Sequence, residues 1–171
     1  MARKGGTTST TASTVLVRPT SEYGGKFFEV YIATGETPKP GTILQLDPTV
    51  ALIGGQHTAK LYNRDADGDR PAGPYVVLLE DRKRGKTPDD AYAAGDLAPA
   101  YIPRAGDELN LLFGNASGTA DDVAAGGLGI VDDGTGKVIP TTGSPEDEPL
   151  MFLEAYTDPA ADRHLWCVWC R

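Results

Sequence analysis

Short apolar runs bounded by glycine, proline and acidic residues recur along this chain. The clearest is Tyr75-Val76-Val77-Leu78-Leu79, which follows Gly73-Pro74 and stops at Glu80-Asp81. Such a run is too short for a helix and rich in β-formers, so it predicts a strand covered on both faces. Leu150-Met151-Phe152-Leu153, after Pro149 and before Glu154, repeats the phrase. A second pair matches upstream, Gly41-Thr42-Ile43-Leu44-Gln45-Leu46-Asp47 and Gly127-Leu128-Gly129-Ile130-Val131-Asp132. The order glycine, strand ending in Asp, insert, proline, strand ending in Glu thus occurs twice, over residues 38–81 and 124–155. It suggests a weak internal duplication.

The remaining pattern also favours strands. Lys26-Phe27-Phe28-Glu29-Val30-Tyr31-Ile32 is dominated by aromatic and β-branched residues and predicts a strand within 23–33. Val50–Gly55 is a short apolar piece broken by Gly54-Gly55, and Thr58–Tyr62 and Leu109–Phe113 are further strand candidates. Asp132-Asp133-Gly134-Thr135-Gly136-Lys137 predicts a hairpin turn between 129–131 and 137–139. His164–Cys170 alternates Leu165, Cys167, Trp169 against Trp166, Val168, Cys170, and predicts a last strand covered on both faces. The best helix candidate is Thr87–Ala94, with Thr87 as N-cap, Pro88 in the first turn, Asp89 and Asp90 at the positive end of the dipole, and Gly95 as the stop.

Composition narrows the picture. Gly 21 and Pro 13 in 171 residues favour turns over helices and suit one domain of ordinary size. A net charge of -8 argues against a protein that neutralises nucleic-acid phosphates. No apolar run is long enough to cross a membrane as a helix, and residues 1–20 lack the apolar core of a signal peptide, so the expected place of synthesis is the cytosol. Residues 1–20 read as a flexible, locally basic arm ahead of a single β-rich body over 21–171. Within the arm, Val15-Leu16-Val17 is a β-prone triplet suited to pairing with a neighbouring strand.

Catalytic and metal chemistry is mostly declined. Asn63-Arg64-Asp65-Ala66-Asp67-Gly68-Asp69 begins like a calcium loop, but Pro74 stands where the bidentate Glu belongs, which leaves a solvated turn. Cys167-Val168-Trp169-Cys170 has redox spacing without a βαβ setting, and residues three apart on a strand point to opposite faces. Two buried free thiols are expected, with zinc shared with another chain or a disulfide as alternatives. Gly134-Thr135-Gly136-Lys137 misses the phosphate-loop register, since Val131 and Val138 occupy positions that need Gly and Ser or Thr. No G-x-S-x-G occurs, and neither His57 nor His164 has an evident carboxylate and nucleophile beside it. The expectation is therefore a non-enzyme that takes no cofactor.

Three phrases carry a resemblance: Pro40-Gly41-Thr42-Ile43-Leu44-Gln45-Leu46-Asp47, Gly73–Asp81 and Arg104-Ala105-Gly106-Asp107-Glu108-Leu109. Together they resemble the head decoration, or capsid cement, proteins of tailed bacteriophages. The stretch from Gly127 through Asp132–Pro140 to Pro149–Ala155 is similar to the barrel phrasing of related phage structural proteins. The resemblance covers roughly residues 38–170 and implies a mainly β, barrel-like or tulip-like body with long loops, at most one or two short helices and an extended N-terminal arm. It implies a virion protein on the outer capsid surface, made in the host cytoplasm, that stabilises the shell by bridging major capsid proteins, commonly as a trimer. The alternatives are a tail, baseplate or head-fibre-base β-module, or a non-viral cytosolic β-domain. On this resemblance Val15-Leu16-Val17 adds a strand to a capsid sheet edge while Arg3, Lys4 and Arg18 meet acidic rim groups, and those six are the candidate partner-binding residues. The chain is longer than the smallest members, with 55–72 and 82–104 as extra inserts. Neither nucleic acid nor membrane is an expected partner.

Overall fold

The computed structural model describes residues 17–18, 26–63, 74–114, 122–141, 150–156 and 163–170. Within them the protein is built from strands and turns, with one 3-10 turn at Arg82–Arg84. The strands are β1 (Val17–Arg18), β2 (Lys26–Ile32), β3 (Ile43–Leu46), β4 (His57–Leu61), β5 (Tyr75–Leu78), β6 (Leu97–Ile102), β7 (Glu108–Leu112), β8 (Leu128–Val131), β9 (Val138–Pro140), β10 (Leu150–Phe152) and β11 (His164–Trp169). The protein is mainly β.

Strands β2 to β6 close into a barrel in the order β2-β4-β3-β5-β6, with β2 and β4 parallel and every other step antiparallel. The other six form a sheet ordered β1-β7-β11-β10-β8-β9. That sheet returns on itself through a parallel bridge between Phe113, just after β7, and Val138 of β9. Strands β7 to β11 therefore repeat the connectivity of β2 to β6 strand for strand, including the parallel contact between the first and third.

The repeat extends to individual hydrogen bonds. Ile32 N donates to Asp96 O at 3.0 Å and Phe113 N to Arg163 O at 2.7 Å. Ala33 N to Ala59 O and Gly114 N to Val138 O are both 2.9 Å. Gly41 N to Leu78 O and Gly126 N to Phe152 O are both 2.8 Å, and both glycines hold positive φ, 86° and 78°. Tyr92 N donates to Pro38 O at 2.9 Å as Tyr156 N does to Val123 O at 2.8 Å. The phrases that recur in the sequence fall on β3 and β8, and on β5 and β10, which hold corresponding places and pair antiparallel within each half.

Burial explains why β5 is apolar throughout. Val76 and Leu78 point into the barrel with Val30, Ile32, Leu44, Leu46, Tyr92 and Ala98. Val77 points outward into a second cluster, with Ile43 and Tyr101 of the barrel and Leu109, Leu111, Phe113, Leu150, Phe152, Leu165, Cys167 and Trp169 of the other sheet. Each fully buried side chain of this kind contributes about 1.5–3 kcal/mol, so the outward-facing residues bind the two halves into one core. The seam is also hydrogen-bonded: Ile43 N to Gly136 O and Gly134 N to Tyr62 O at 2.8 Å, and Leu112 N to Gly41 O at 2.9 Å.

Four expectations need correction. Thr87–Ala94 is not a helix. The Asp90 carboxylate accepts from Thr87 N at 2.8 Å and Thr87 Oγ1 at 2.7 Å, which closes a tight turn in competition with helix formation. Tyr92 is then drawn into the barrel, its hydroxyl donating to Leu79 O at 2.9 Å. The supposed inserts 55–72 and 82–104 contain the barrel strands β4 and β6; the Leu-Ala-Pro-Ala composition hides β6, whose Ala98 and Ala100 are fully buried, where small residues suit the narrow interior. In β11 Leu165, Cys167 and Trp169 are buried while Trp166 and Val168 are half-buried, so only one face is fully covered. Finally, Cys170 is exposed, leaving Cys167 as the buried thiol.

Candidate functional site

Of the candidate partner-binding residues, Val17 and Arg18 lie within the described structure, while Arg3, Lys4, Val15 and Leu16 lie outside it. Val17 pairs with Leu109 and Arg18 with Glu108, antiparallel on the edge of β7. The end of the proposed arm is thus seated as a strand on the second sheet. The Asn63–Asp69 loop, beyond Asn63, also lies outside the described residues.

Clefts among the described residues include one at the seam and one beside the 3-10 turn. One, about 310 Å³, lies at the seam between Gly35–Lys39, Thr42 and Leu61 on one side and Leu112, Gly134, Thr135 and Lys137 on the other. The other, about 380 Å³, lies beside the 3-10 turn among Glu29, Glu80, Asp81, Arg82, Lys83, Arg84 and Pro99. Its charges answer one another: Arg82 meets Glu80 at 2.5 Å, and Arg84 meets Asp81 at 3.4 Å and Glu29 at 3.9 Å. Exposed pairs of this kind hold a loop and add little stability.

The buried polar groups serve structure. Asp107 accepts from Tyr101 Oη at 2.6 Å and Arg104 N at 2.9 Å, fixing the β6–β7 turn against β11. His164 Nε2 lies 2.9 Å from Pro40 O. Burial pushes the Tyr92 and Tyr156 hydroxyls well above their ordinary pKa, with Asp81 adding to the first and Glu154 to the second. Burial likewise raises the Cys167 thiol far out of the range in which thiolate chemistry operates. Among the described residues, no group of three or more His, Cys, Asp or Glu side chains is placed to hold a metal ion. No described helix is long and apolar enough to cross a membrane.

What the surface does offer is apolar. Phe27, Val50, Leu52 and Ile53 are 60 %, 41 %, 54 % and 49 % exposed. Three of them lie in the β3–β4 connection, residues 48–56, which is exposed and carries no charged side chain. In the second half the corresponding β8–β9 connection is the tight turn 133–136, packed into the seam. The β3–β4 loop is therefore longer than barrel closure requires. The sequence reading noted Val50–Gly55 only as a broken apolar piece; the missed signal was an uncharged stretch in a chain that is 23 % charged.

No protein-family model and no curated protein matches the sequence. Among solved structures, the chain is similar to the head fibre gp8.5 N base of bacteriophage phi29, with a TM-score of 0.48 and 9 % identity over 85 % of this chain and 93 % of that one. Likeness at that level assigns the chain to no family.

Proposed function

We propose that this chain is a structural protein of a tailed-phage virion that attaches to the outer surface of the assembled capsid and stabilises it by bridging major capsid proteins. The observation that carries this reading is the placement of the resembling phrases. They fall on β3, β5, β7, β8, β9 and β10, strands of the closed barrel and of the second sheet packed on it. A body of that kind presents outer surface rather than a reaction chamber, and its buried Asp107 and Tyr92 are engaged in hydrogen bonds that hold turns. Binding only the assembled shell stabilises that shell by mass action, and many symmetric copies, as trimers, add avidity.

The arm, with Arg3, Lys4, Val15 and Leu16 upstream of β1, is the proposed tether. Removing residues 1–16 keeps β1 in place, so the body should melt within a few degrees of the full chain. Binding to purified empty capsids in a sedimentation assay should weaken at least tenfold. Full binding by the truncated protein would dismiss the tether, and no binding by the intact protein would dismiss the capsid reading.

A further inference from the structure

In the repeated architecture one edge of the first barrel differs from its counterpart in the second half. In the second half, Phe113 and Gly114 make the bonds that Ile32 and Ala33 make in the first. By that register Leu109 and Glu108 of β7 correspond to Phe28 and Phe27 of β2. On β7 those two residues are covered by β1. On β2, the β4 side is paired only at Val30, Tyr31 and Ile32. Among the described residues no strand pairs with Lys26–Glu29 on that side, although β6 covers the other edge from Lys26 to Tyr31.

The groups left there can be named. Ile32 N bonds toward β6 and Ala33 N toward β4, so alternation turns the N–H and C=O of Phe27 and Glu29 toward the open side. Because β4 runs parallel to β2 and starts with His57 opposite Val30, the loop 48–56 leaves the barrel at this same end. Exposed Phe27, Val50, Leu52 and Ile53 therefore accompany the open edge.

We propose that β2 accepts an extended segment of a partner protein, added antiparallel beside Phe27 and Glu29, with the apolar loop 48–56 flanking it. The internal template is β1 on β7. The segment is β-branched or aromatic at alternate positions, on the face it would share with Phe27, and neutral to basic, to suit a chain of net charge -8. A second copy fits less well. Two such acidic chains repel, and four part-exposed side chains fall short of the ~800 Å² per partner that a stable pair buries. A lipid surface fits less well too, since the loop offers no Lys or Arg. Strand addition needs no large patch, because main-chain bonds supply affinity and alternate side chains specificity. That the partner is a capsid protein rests on the reading above; the edge itself does not.

The test has two arms. In the first, the full chain is titrated with a synthetic Lys-Val-Thr-Val-Thr-Val-Lys peptide and amide exchange is followed by NMR. The Phe27 and Glu29 amides should exchange at least tenfold more slowly with peptide present, while β7, already covered by β1, is unchanged; equal exchange overturns the proposal. In the second, Phe27→Lys and the exposed-loop pair Leu52→Ser/Ile53→Ser are compared with the unsubstituted protein for capsid binding, with thermal melts as the fold control. At least a tenfold loss in the folded loop variant supports the surface; undiminished binding overturns it and leaves the capsid reading standing. Failure of the unsubstituted protein to bind capsids removes the capsid reading, and the peptide arm then decides the edge. A dimer seen by light scattering that Phe27→Lys dissolves would overturn the proposal in favour of a second copy.

Discussion

Gly136 is where a single side chain decides whether the halves meet. Its φ is 65°, and a Cβ there would lie 2.2 Å from Ile43 O, the residue whose N–H bonds Gly136 O. Gly136→Ala should destabilise by more than about 2 kcal/mol through combined strain and overpacking, read in a denaturant melt. Gly134→Ala at the same turn meets nothing within 4 Å and carries only its positive φ, so it should cost less. Asp47 works by charge. Its carboxylate accepts from Thr49 Oγ1 at 2.5 Å and Thr49 N at 2.9 Å and pairs with Lys60 at 3.2 Å. The Thr49 bonds, more than Lys60, hold its pKa below the ordinary 3.8. A lowered folded-state value means the stabilisation is complete above the unfolded pKa and disappears as pH falls through the folded one. Asp47→Asn should therefore lower the melting temperature at pH 6 and differ little from the unsubstituted protein at pH 2.

Among elements, the β3–β4 and β8–β9 connections form an internal comparison. Both strands end in an Asp whose backbone N–H bonds the start of the next strand, Asp47 to Thr58 O at 2.8 Å and Asp132 to Lys137 O at 2.7 Å. Both Asp side chains also accept a Thr hydroxyl, Asp132 from Thr135 at 2.6 Å. Replacing residues 48–57 by Asp-Gly-Thr-Gly, the turn of the second half, should leave the first barrel folded, with a melting temperature within about 4 °C, equivalent to roughly 1 kcal/mol. Loss of the folded state would show that the loop supports its own barrel. The strands rich in apolar or β-branched residues are legible as sequence: β2, β3, β5, β8, β10 and β11 lie within predicted runs, β7 is offset by one residue from Leu109–Phe113 and β4 by one from Thr58–Tyr62, and the β8–β9 hairpin sits where its Asp-Gly and Gly signals put it. The Thr87–Ala94 helix and strand β6 were misread for one reason. Propensity is a weak prior where a side chain caps a turn locally, as Asp90 does, or where a narrow interior selects Ala, as at Ala98 and Ala100.

For the whole molecule, the barrels share a core. Ile43, Tyr62, Val77 and Tyr101 of the first pack in one cluster with the interior of the second. Separating the halves would return that shared apolar surface to water, which couples them, so thermal unfolding should be a single transition by calorimetry. Two resolved transitions would show that the seam is weaker than its burial implies. Tyr101→Ala, which also removes the hydroxyl bonded to buried Asp107, should cost about 3–5 kcal/mol and should lower that one transition without splitting it.

The sequence by itself determined that this chain is β-built and that its central strands are apolar on both faces, because side-chain alternation and turn chemistry are local properties. It also marked the recurring Gly-strand-Asp and strand-Glu phrases. Only the tertiary structure decided that β2–β6 and β7–β11 share one connectivity, that Gly136 seats a turn in the seam, and that β1 covers β7 while no described strand covers the matching edge of β2. Those facts depend on which strands become neighbours, a long-range choice made by burying the first barrel's outward face with the apolar face of the second sheet in one core, and no window of sequence contains it.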